Sequence, residues 1–180
     1  MPKILAFSGS ARKSSFNQKL VVIAAQGARA AGADVTVISL ADYPMPIFDE
    51  DLEVSEGMPA AAKAFKQLLI DHDGMLIASP EYNSAFSPLL KNAIDWATRP
   101  FGPDIKSAPP FAGKYAAIMA TSPGALGGLR GLVFLRLLLS NIAVTVMPSQ
   151  HAVPHAAKVF DADGSINDTQ VQQKLMDLVQ

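Results

Sequence analysis

The chain has 180 residues, a typical length for one globular domain with a sizeable buried core, and we expect residues 1–180 to form one domain. The 15 basic and 16 acidic residues almost cancel, which argues against a nucleic-acid partner. There is no cysteine, so a disulfide scaffold, thiol chemistry and a cysteine-ligated zinc site are excluded. Neither a signal peptide nor a membrane-length apolar stretch is recognisable, and we expect a cytoplasmic protein without a membrane partner.

Short apolar runs alternate with segments of helical periodicity along the chain. The predicted strands span residues 3–8, 34–40, 74–79, 115–121 and 143–147. The predicted helices span residues 17–31, 59–72, 87–97 and 126–141, with a last helix that Asp168 caps and that runs through Leu178. Residues 42–57, residues 99–113 and the stretch after Met147 are predicted to be loops.

This alternation of buried strands and helices predicts an α/β protein, a three-layer sandwich with helices on both faces of a five-stranded parallel sheet. Right-handed crossovers leave few topologies, and we predict the strand order 2-1-3-4-5. In this order the winding reverses between strands 1 and 3, and ligands bind at the carboxyl ends of the strands there. The loops that follow Ser8, Ser79 and Thr121 are therefore the candidate binding loops.

The first of these loops combines a glycine, several serines, Arg12 and Asn17 at the N-terminus of a predicted helix. Free backbone N–H groups and the positive end of the helix dipole favour an anion there, and an arginine can bind phosphate through two donors. Alternatively, Ser14, Ser15 or Asn17 only caps the helix. Neither the nucleoside-triphosphatase phosphate loop nor the dinucleotide fingerprint is present, so the predicted ligand group is a terminal phosphomonoester.

The other two loops carry groups suited to a flat ring. Residues 79–88 include Pro80, Tyr82 and Asn83, which can meet the edge of a planar ring, although an ordinary turn before a helix has a similar composition. Residues 121–128 include three glycines, which either allow the backbone to approach a ligand closely or only connect the strand to the next helix. Together the three loops predict an elongated ligand with a phosphate at one end and a flat ring at the other, and flavin mononucleotide (FMN) meets that description.

Three motifs occur together in this chain. They are Gly9-Ser10-x-Arg12-x-x-Ser15-x-Asn17, then Pro80-Glu81-Tyr82-Asn83 with Leu90-Lys91-Asn92-Ala93-Ile94-Asp95-Trp96, then Ser122-Pro123-Gly124 with Gly127-Gly128-x-Arg130. From residue 3 to about residue 150, this combination resembles the NADPH-dependent FMN reductase family, which includes bacterial chromate and quinone reductases. That family has a flavodoxin-like fold, and its members are usually dimers or tetramers.

The resemblance implies an FMN site with three parts. The phosphate would be held by Ser10, Arg12, Ser15, Phe16 and Asn17. The ring would lie along Pro80, Glu81, Tyr82 and Asn83, with Ser122, Pro123 and Gly124 at its other edge.

The resemblance also implies the reaction. A hydride from NADPH or NADH would reach flavin N5, and quinones, free flavin, azo dyes, nitro compounds or metal oxyanions such as chromate would then take the electrons at the same surface, in a ping-pong cycle. No side chain is predicted to act as a strong acid or base, because the flavin carries the chemistry and the protein binds and orients it. Tyr82 and Asn83 would only adjoin the ring.

Four other features have less specific interpretations. Glu81 is a candidate proton relay, although pairing with an arginine or lysine across a subunit interface is favoured. His151 and His155 share a predicted loop that lacks carboxylates at metal-ligand spacing, so no metal site is predicted. Trp96 is expected in core or interface packing. The acidic run 49–51 is interpreted as a solvated loop, with the alternative that residues 43–48 form a wall above the flavin.

The predicted helix at residues 126–139 is apolar almost all round. One of its faces must cover the sheet, and the opposite face needs a further cover. Charged residues make up 17% of the chain against about 25% in ordinary globular proteins, which favours association between copies. We therefore expect a homodimer or homotetramer in which a second copy covers this face. The alternative cover is the last helix of the same chain.

Two other functions are compatible with this fold and cofactor, namely a flavodoxin-type electron carrier and a flavin-bound regulatory protein without turnover. Carriers tend to be strongly acidic so that they dock by charge complementarity, whereas this chain has a net charge of −1. A phospho-receiver domain would need an aspartate after the third strand, where Ser79 and Pro80 stand. The leading prediction is therefore an enzyme with small-molecule electron acceptors as its partners.

Overall fold

A five-stranded parallel sheet forms the centre of the structure, a computed structural model that describes residues 1–100, 109–161 and 163–177. In chain order the elements are β1 (Lys3–Ser8), α1 (Phe16–Ala30), β2 (Asp34–Ser39), α2 (Glu50–Glu56), α3 (Ala60–Asp71), β3 (Gly74–Ala78), β4 (Glu81–Tyr82), β5 (Ala85–Phe86), α4 (Pro88–Thr98), β6 (Tyr115–Thr121), α5 (Leu129–Asn141), β7 (Thr145–Val153), α6 (Ala156–Val159) and α7 (Thr169–Asp177). A short 3-10 helix, Leu40–Asp42, follows β2.

The sheet has the order β2-β1-β3-β6-β7, and all of its neighbouring strands are parallel. Counted among these five strands alone, this is the predicted order 2-1-3-4-5. The chain winds outward in opposite directions from β1 and β3, so a crevice opens at their carboxyl ends. The N–H of Gly9 donates to the carbonyl of Ala78 (2.8 Å), and that of Ser79 donates to the carbonyl of Met119 (3.0 Å). The loops after β1, β3 and β6 therefore begin side by side.

Helices cover both faces of the sheet and produce the predicted three layers. On one face β1, β3 and β6 pack against α3, α4 and α5, and Phe7 meets Phe65 edge to face with 5.4 Å between ring centroids. On the other face α1 and α7 pack over Met119 and its neighbours, and Leu175 of α7 is fully buried there. The central strands β1, β3 and β6 are mostly buried on both faces, which explains why their sequences are nearly continuous apolar runs. Among the described residues, no helix is both long and apolar enough to cross a membrane.

The structure corrects the predicted loop at residues 42–57, because α2 lies within it. Asp49 precedes this helix, and its side chain accepts hydrogen bonds from the N–H groups of Asp51 (2.8 Å) and Leu52 (3.3 Å). An acidic cluster is favourable at a helix N-terminus, where free N–H groups and the dipole carry positive charge. The acidic run 49–51 is solvent-exposed, as predicted, but it starts a helix.

The segment before α2 is attached to α4. The indole N–H of Trp96 and the side-chain amide of Asn92 both donate to the carbonyl of Pro46, each at 2.8 Å. Phe48 packs edge-on against the Trp96 ring with 5.0 Å between centroids. Trp96 is fully buried, so its predicted packing role is confirmed.

The last strand of the sheet is longer than predicted. Residues 148–153 were expected in a loop, but β7 continues to Val153 and pairs with β6 through Gln150 and His151. The register shifts after Val146, so Pro148 lies in a bulge where no ladder N–H is required. Arg136 of α5 donates to the carbonyls of Val146 and Pro148, both at 3.3 Å. An edge strand can carry polar residues because one of its sides is open. A search for apolar runs therefore does not recognise the polar second half of β7 as a strand.

The C-terminal helix begins where it was predicted to begin. Asp168 accepts hydrogen bonds from the N–H groups of Gln170 (2.9 Å) and Val171 (3.2 Å) and so caps α7. The predicted member Leu178 lies outside the described residues, as do positions 101–108 of the predicted loop at 99–113.

Candidate functional site

The loops after β1, β3 and β6 enclose one cleft at the carboxyl edge of the sheet. Its lining consists of Ser10, Arg12, Ser15, Phe16, Asn17, Pro80, Glu81, Tyr82, Thr121, Ser122 and Pro123. The structure thus brings together the candidates named from the sequence, except Asn83 and Gly124. It adds Thr121, whose only signal in the sequence was a hydroxyl at the end of a predicted strand.

The first loop presents donors that the protein itself leaves free. Ser15 caps α1 by accepting from the N–H of Gln18 (3.2 Å), which confirms the capping alternative for this serine. Its hydroxyl proton can still be donated, because the bond to Gln18 uses only an oxygen lone pair. In the part of the chain that the structure describes, no acceptor takes the N–H of Ala11, Ser14 or Phe16. Hydroxyl and amide donors therefore remain available at this end of the cleft.

The same loop carries uncompensated positive charge. Arg12 and Lys13 are exposed, and the ion pairs found among the described residues lie elsewhere. These pairs are Lys91–Asp95, Arg99–Glu53 and Arg130–Glu81. The N-terminus of the 15-residue helix α1 adds its positive dipole end. Two cations, a helix N-terminus and free donors together make this end of the cleft suited to an anion.

Asn17 joins the first loop to the third. Its side-chain amide donates to the carbonyl of Thr121 and accepts from the N–H of Thr121, each at 3.0 Å, and both bonds are buried. The hydroxyl of Thr121 in turn donates to the carbonyl of Val153 (2.9 Å). The Asn17 side chain therefore binds the backbone of Thr121, and the N–H of Asn17 has no acceptor among the described residues.

The second loop is a β-hairpin, whereas the sequence predicted a ring-binding loop without strands, with an ordinary turn as the alternative. β4 and β5 pair antiparallel through a two-residue turn, in which Asn83 and Ser84 both have positive φ, 50° and 69°. Two positive φ values are the mark of a type I′ turn, which matches the twist of a hairpin. The side chain of Tyr82 is 48% exposed at the mouth of the cleft. The hairpin thus supplies an exposed aromatic group on a defined backbone.

Ser87 connects this hairpin to the first loop. Its hydroxyl donates to the carbonyl of Gly9 (2.5 Å) and accepts from the N–H of Leu90 (3.1 Å), which caps α4. A Cβ at Gly9 would lie 2.9 Å from the Ser87 oxygen and 3.1 Å from the Leu90 Cβ. Glycine is therefore required at position 9 because α4 packs against it. Backbone conformation is not the reason, since the φ of Gly9 is not positive.

Glu81 binds within its own chain, which corrects the expectation of a partner across an interface. One carboxylate oxygen accepts from Arg130 Nη2 (2.6 Å) and Nε (2.8 Å), and the other accepts from the N–H of Gly131 (3.2 Å). The Glu81 side chain is only 9% exposed. The prediction of an arginine or lysine as the partner of Glu81 is confirmed, but the arginine lies in α5 of the same chain.

The glycines of the third loop approach the protein itself. Gly127 and Gly128 have φ of 62° and 91°, and a Cβ at Gly127 would lie 2.6 Å from the backbone of Val153. A Cβ at Gly128 would lie 2.7 Å from that of Ala120. Around Gly124 there is room, since the atom nearest to an added Cβ would be the Ser122 oxygen at 3.7 Å. Of the three glycines, two therefore serve the packing of the loop on β6 and β7.

His151 and His155 lie near the C-terminal part of the sheet. Among the described residues, no group of three or more His, Cys, Asp or Glu side chains could hold a metal ion. His151 lies in β7, where burial and then the nearby Lys174 lower the pKa of its imidazole. A neutral imidazole at physiological pH follows from that direction.

The strand order, the helices on both faces and the cleft at the winding reversal define a flavodoxin-like α/β protein. Residues 2–158 match the model of the NADPH-dependent FMN reductase family, and the chain belongs to that family. It is accordingly an oxidoreductase that uses FMN together with NAD(P)H.

Individual relatives agree with this assignment. A 2-hydroxy-1,4-benzoquinone reductase from Burkholderia sp. is 35% identical over 166 residues, which cover 91% of this chain and 85% of the relative. An NADPH:quinone oxidoreductase from Arabidopsis thaliana is 33% identical over 176 residues, covering 96% and 86%. The solved structure of a flavoenzyme NAD(P)H:(acceptor) oxidoreductase from Paracoccus denitrificans superposes with a TM-score of 0.82 at 29% identity, covering 99% of this chain and 93% of that one.

The packing of the third loop leads to a stability prediction. Gly127→Ala should lower the free energy of unfolding more than Gly32→Ala does. Both glycines have positive φ, which costs another residue about 1–2 kcal/mol. Around Gly32 there is no atom within 4 Å of the added methyl group, so only this backbone cost applies. At Gly127 the backbone of Val153 must also move to make room for the methyl group. Chemical denaturation of the two variants measures the difference. Equal losses would show that the loop after β6 relaxes freely and would contradict the close packing.

Proposed function

We propose that this chain transfers electrons from NADPH or NADH to quinones, with FMN held in the cleft formed by the loops after β1, β3 and β6. The observation that carries the proposal is the set of hydrogen-bond donors and positive charge at one end of the cleft. There Arg12 and Ser15 line the cleft beside the N-terminus of α1, next to backbone N–H groups that have no acceptor among the described residues. Such a donor set suits a phosphate dianion.

The residues present fit the rest of the FMN molecule as well. We propose that Ser10, Arg12, Ser15, Phe16 and Asn17 hold the phosphate, with Asn17 acting through its backbone. The flat ring would lie between the hairpin residues Pro80, Glu81, Tyr82 and Asn83 and the third-loop residues Ser122, Pro123 and Gly124. Polar donors at one end and prolines with an aromatic side chain at the other match a phosphate joined to a planar ring.

The protein's own part in the reaction is to bind and orient. When bound, FMN supplies the redox centre that takes a hydride from NAD(P)H and passes electrons to an acceptor. The Glu81 carboxylate is already engaged by Arg130 and Gly131, and proton relay is not the role we assign to it. Backbone N–H groups of the second and third loops would donate to the ring edge, where fixed donors stabilise developing negative charge.

The names of relatives favour quinones among the possible acceptors. The relatives from Burkholderia and Arabidopsis both carry quinone in their names. We place free flavin, azo and nitro compounds and oxyanions such as chromate in the wider range of acceptors. An accessible face of the bound flavin would select acceptors by redox chemistry more than by shape.

The composition of the chain favours the cytoplasm as the place where it acts.

The phosphate assignment predicts a loss of affinity that depends on the ligand. Arg12→Ala should weaken FMN binding by about 2 kcal/mol, or roughly 30-fold, the scale of a charge-assisted hydrogen bond. Riboflavin has no phosphate, so its affinity should stay unchanged. Quenching of flavin fluorescence measures both constants. Lys63→Ala, which removes an exposed cation from α3, is the control. Equal losses for FMN and riboflavin would refute the assignment.

The single binding surface predicts a kinetic pattern. Because donor and acceptor would use the same face in turn, initial rates with NADPH and a quinone should give parallel double-reciprocal lines. High quinone should inhibit competitively against NADPH. Intersecting lines would indicate a ternary complex and contradict the shared surface. If neither NADPH nor NADH bleaches the bound flavin in an anaerobic cuvette, the protein is a carrier or a regulator.

We further propose that a second copy of the chain covers the exposed side of α5. Its exposed apolar residues are Leu129, Val133, Phe134 and Leu137, with Leu126 just before the helix. The other side of α5 is buried against the sheet through Leu132, Leu135 and Leu139. The last helix of this chain does not supply the cover, because α7 packs on the opposite face of the sheet with α1.

This proposal predicts the mass of the protein in solution. Light scattering at micromolar concentration should give a dimer or a tetramer. Leu137→Glu, at a side chain that is 66% exposed in one copy, should shift the mass toward the monomer, because a buried unpaired carboxylate opposes association. Val54→Glu, at an 88% exposed residue of α2, should leave the mass unchanged. A monomeric parent protein would disprove the assembly.

A further inference from the structure

We infer that Glu81 is a positioning residue that fastens the hairpin β4–β5 to the N-terminus of α5 and so fixes the wall of the cleft on the ring side. The inference rests on the proposed function for what this wall contacts. The fastening itself is a property of the chain, and it can be measured without a cofactor.

The contacts of Glu81 form a closed arrangement. Both carboxylate oxygens are used, one by two nitrogens of Arg130 at 2.6 and 2.8 Å and one by the N–H of Gly131 at 3.2 Å. The carboxylate is largely withdrawn from water, whereas the Arg130 side chain is 59% exposed. A carboxylate in these surroundings is held by charge-assisted bonds, which are about twice as strong as neutral ones.

The N-terminus of α5 is built to receive this carboxylate. The residue before the helix, Gly128, has no side chain and makes no capping hydrogen bond. Glu81 therefore supplies the acceptor that a capping residue ordinarily supplies. At Gly131 a Cβ would lie 3.3 Å both from the Glu81 Cβ and from the carbonyl of Ala85. Absence of a side chain at position 131 thus lets the hairpin lie directly on the helix.

The hairpin needs such an external attachment. It has two residues in each strand and a turn in which Asn83 and Ser84 both have positive φ. A two-stranded hairpin is marginal by itself in water, and positive φ at non-glycine residues persists where the surroundings hold it. Glu81 is the first residue of the hairpin and Tyr82, which lines the cleft, follows directly. The attachment therefore acts within the segment that is proposed to lie along the ring, directly before Tyr82.

The chain offers a matched control for this ion pair. Arg99 binds Glu53 through Nε (2.8 and 3.0 Å) and Nη2 (2.8 Å), and the Glu53 side chain is 16% exposed. This pair joins α2 to the end of α4, and neither residue lines the cleft. Glu53→Gln therefore removes the same charge from the same kind of bond at a place where no ring contact is proposed.

The first experiment measures the attachment in the full-length chain by amide hydrogen exchange followed by mass spectrometry. Glu81→Gln should accelerate exchange in peptides that contain Tyr82–Phe86 and the first turn of α5, and Arg130→Gln should do the same from the other partner. Glu53→Gln should leave these peptides unchanged. If exchange in the hairpin is the same in Glu81→Gln as in the parent protein, Glu81 does not hold the hairpin and the inference is overturned.

The second experiment asks whether the attachment positions the ring wall. With Glu81→Gln, the dissociation constants of FMN and riboflavin should rise by the same factor, about tenfold for one weakened charge-assisted contact, because both ligands have the ring. Glu53→Gln should change neither constant, even where it lowers the melting temperature. Faster exchange in the hairpin combined with unchanged affinities would overturn the positioning role.

The two experiments separate this inference from the proposed function. The phosphate assignment fails if Arg12→Ala has the same ratio of FMN affinity to riboflavin affinity as the parent protein. Failure of the inference appears in Glu81→Gln, as unchanged exchange or unchanged ring affinity. The first result can occur without the second, because Arg12 and Glu81 lie on different loops of the cleft.

Discussion

The double hydrogen bond between the Asn17 side chain and the backbone of Thr121 is the constraint on which the cleft depends. Asn17 stands in the first turn of α1, and Thr121 ends β6, so two segments that are 104 residues apart in sequence are held together. Both bonds are buried, where each contributes about 0.5–1.5 kcal/mol and where a lost partner costs about 1–3 kcal/mol. Thr121 also donates to β7. The amide thus sets the distance between the first loop and the third before any ligand binds.

The two ends of the cleft differ in how their polar groups are used. At the end formed by the first loop, the Arg12 guanidinium and several backbone N–H groups have no partner in the described part of the chain, and they remain free to bind an anion. At the hairpin end, Glu81 and Ser87 are engaged by α5 and by Gly9, so polar groups there hold the backbone. The difference fits an oxidoreductase, in which the protein binds and orients FMN and the cofactor carries the chemistry.

Particular elements show where pattern reasoning succeeds and where it fails. The strands of the sheet centre were predictable, because burial on both faces requires apolar residues throughout. β7 was cut short because its second half is polar, which an edge strand allows. The hairpin was missed because two-residue strands carry no periodicity and the Asn83-Ser84 turn lacks the usual glycine. For α2, the acidic run that suggested solvation was the signal of a helix start.

The sequence by itself determined the parallel sheet, its strand order, the three loops that meet at the winding reversal and the concentration of donors and positive charge in the first loop. These properties depend on local periodicity, on the handedness of crossovers and on residue chemistry within short segments. The tertiary structure alone decided which polar groups of these loops are free. The Asn17 amide is bound to Thr121 and the Glu81 carboxylate to Arg130, and at Gly127 the backbone of Val153 leaves no room for a Cβ. Each of these contacts joins residues that are distant in the chain, and their pairing is set by how helices and loops pack on the sheet, which no local pattern encodes.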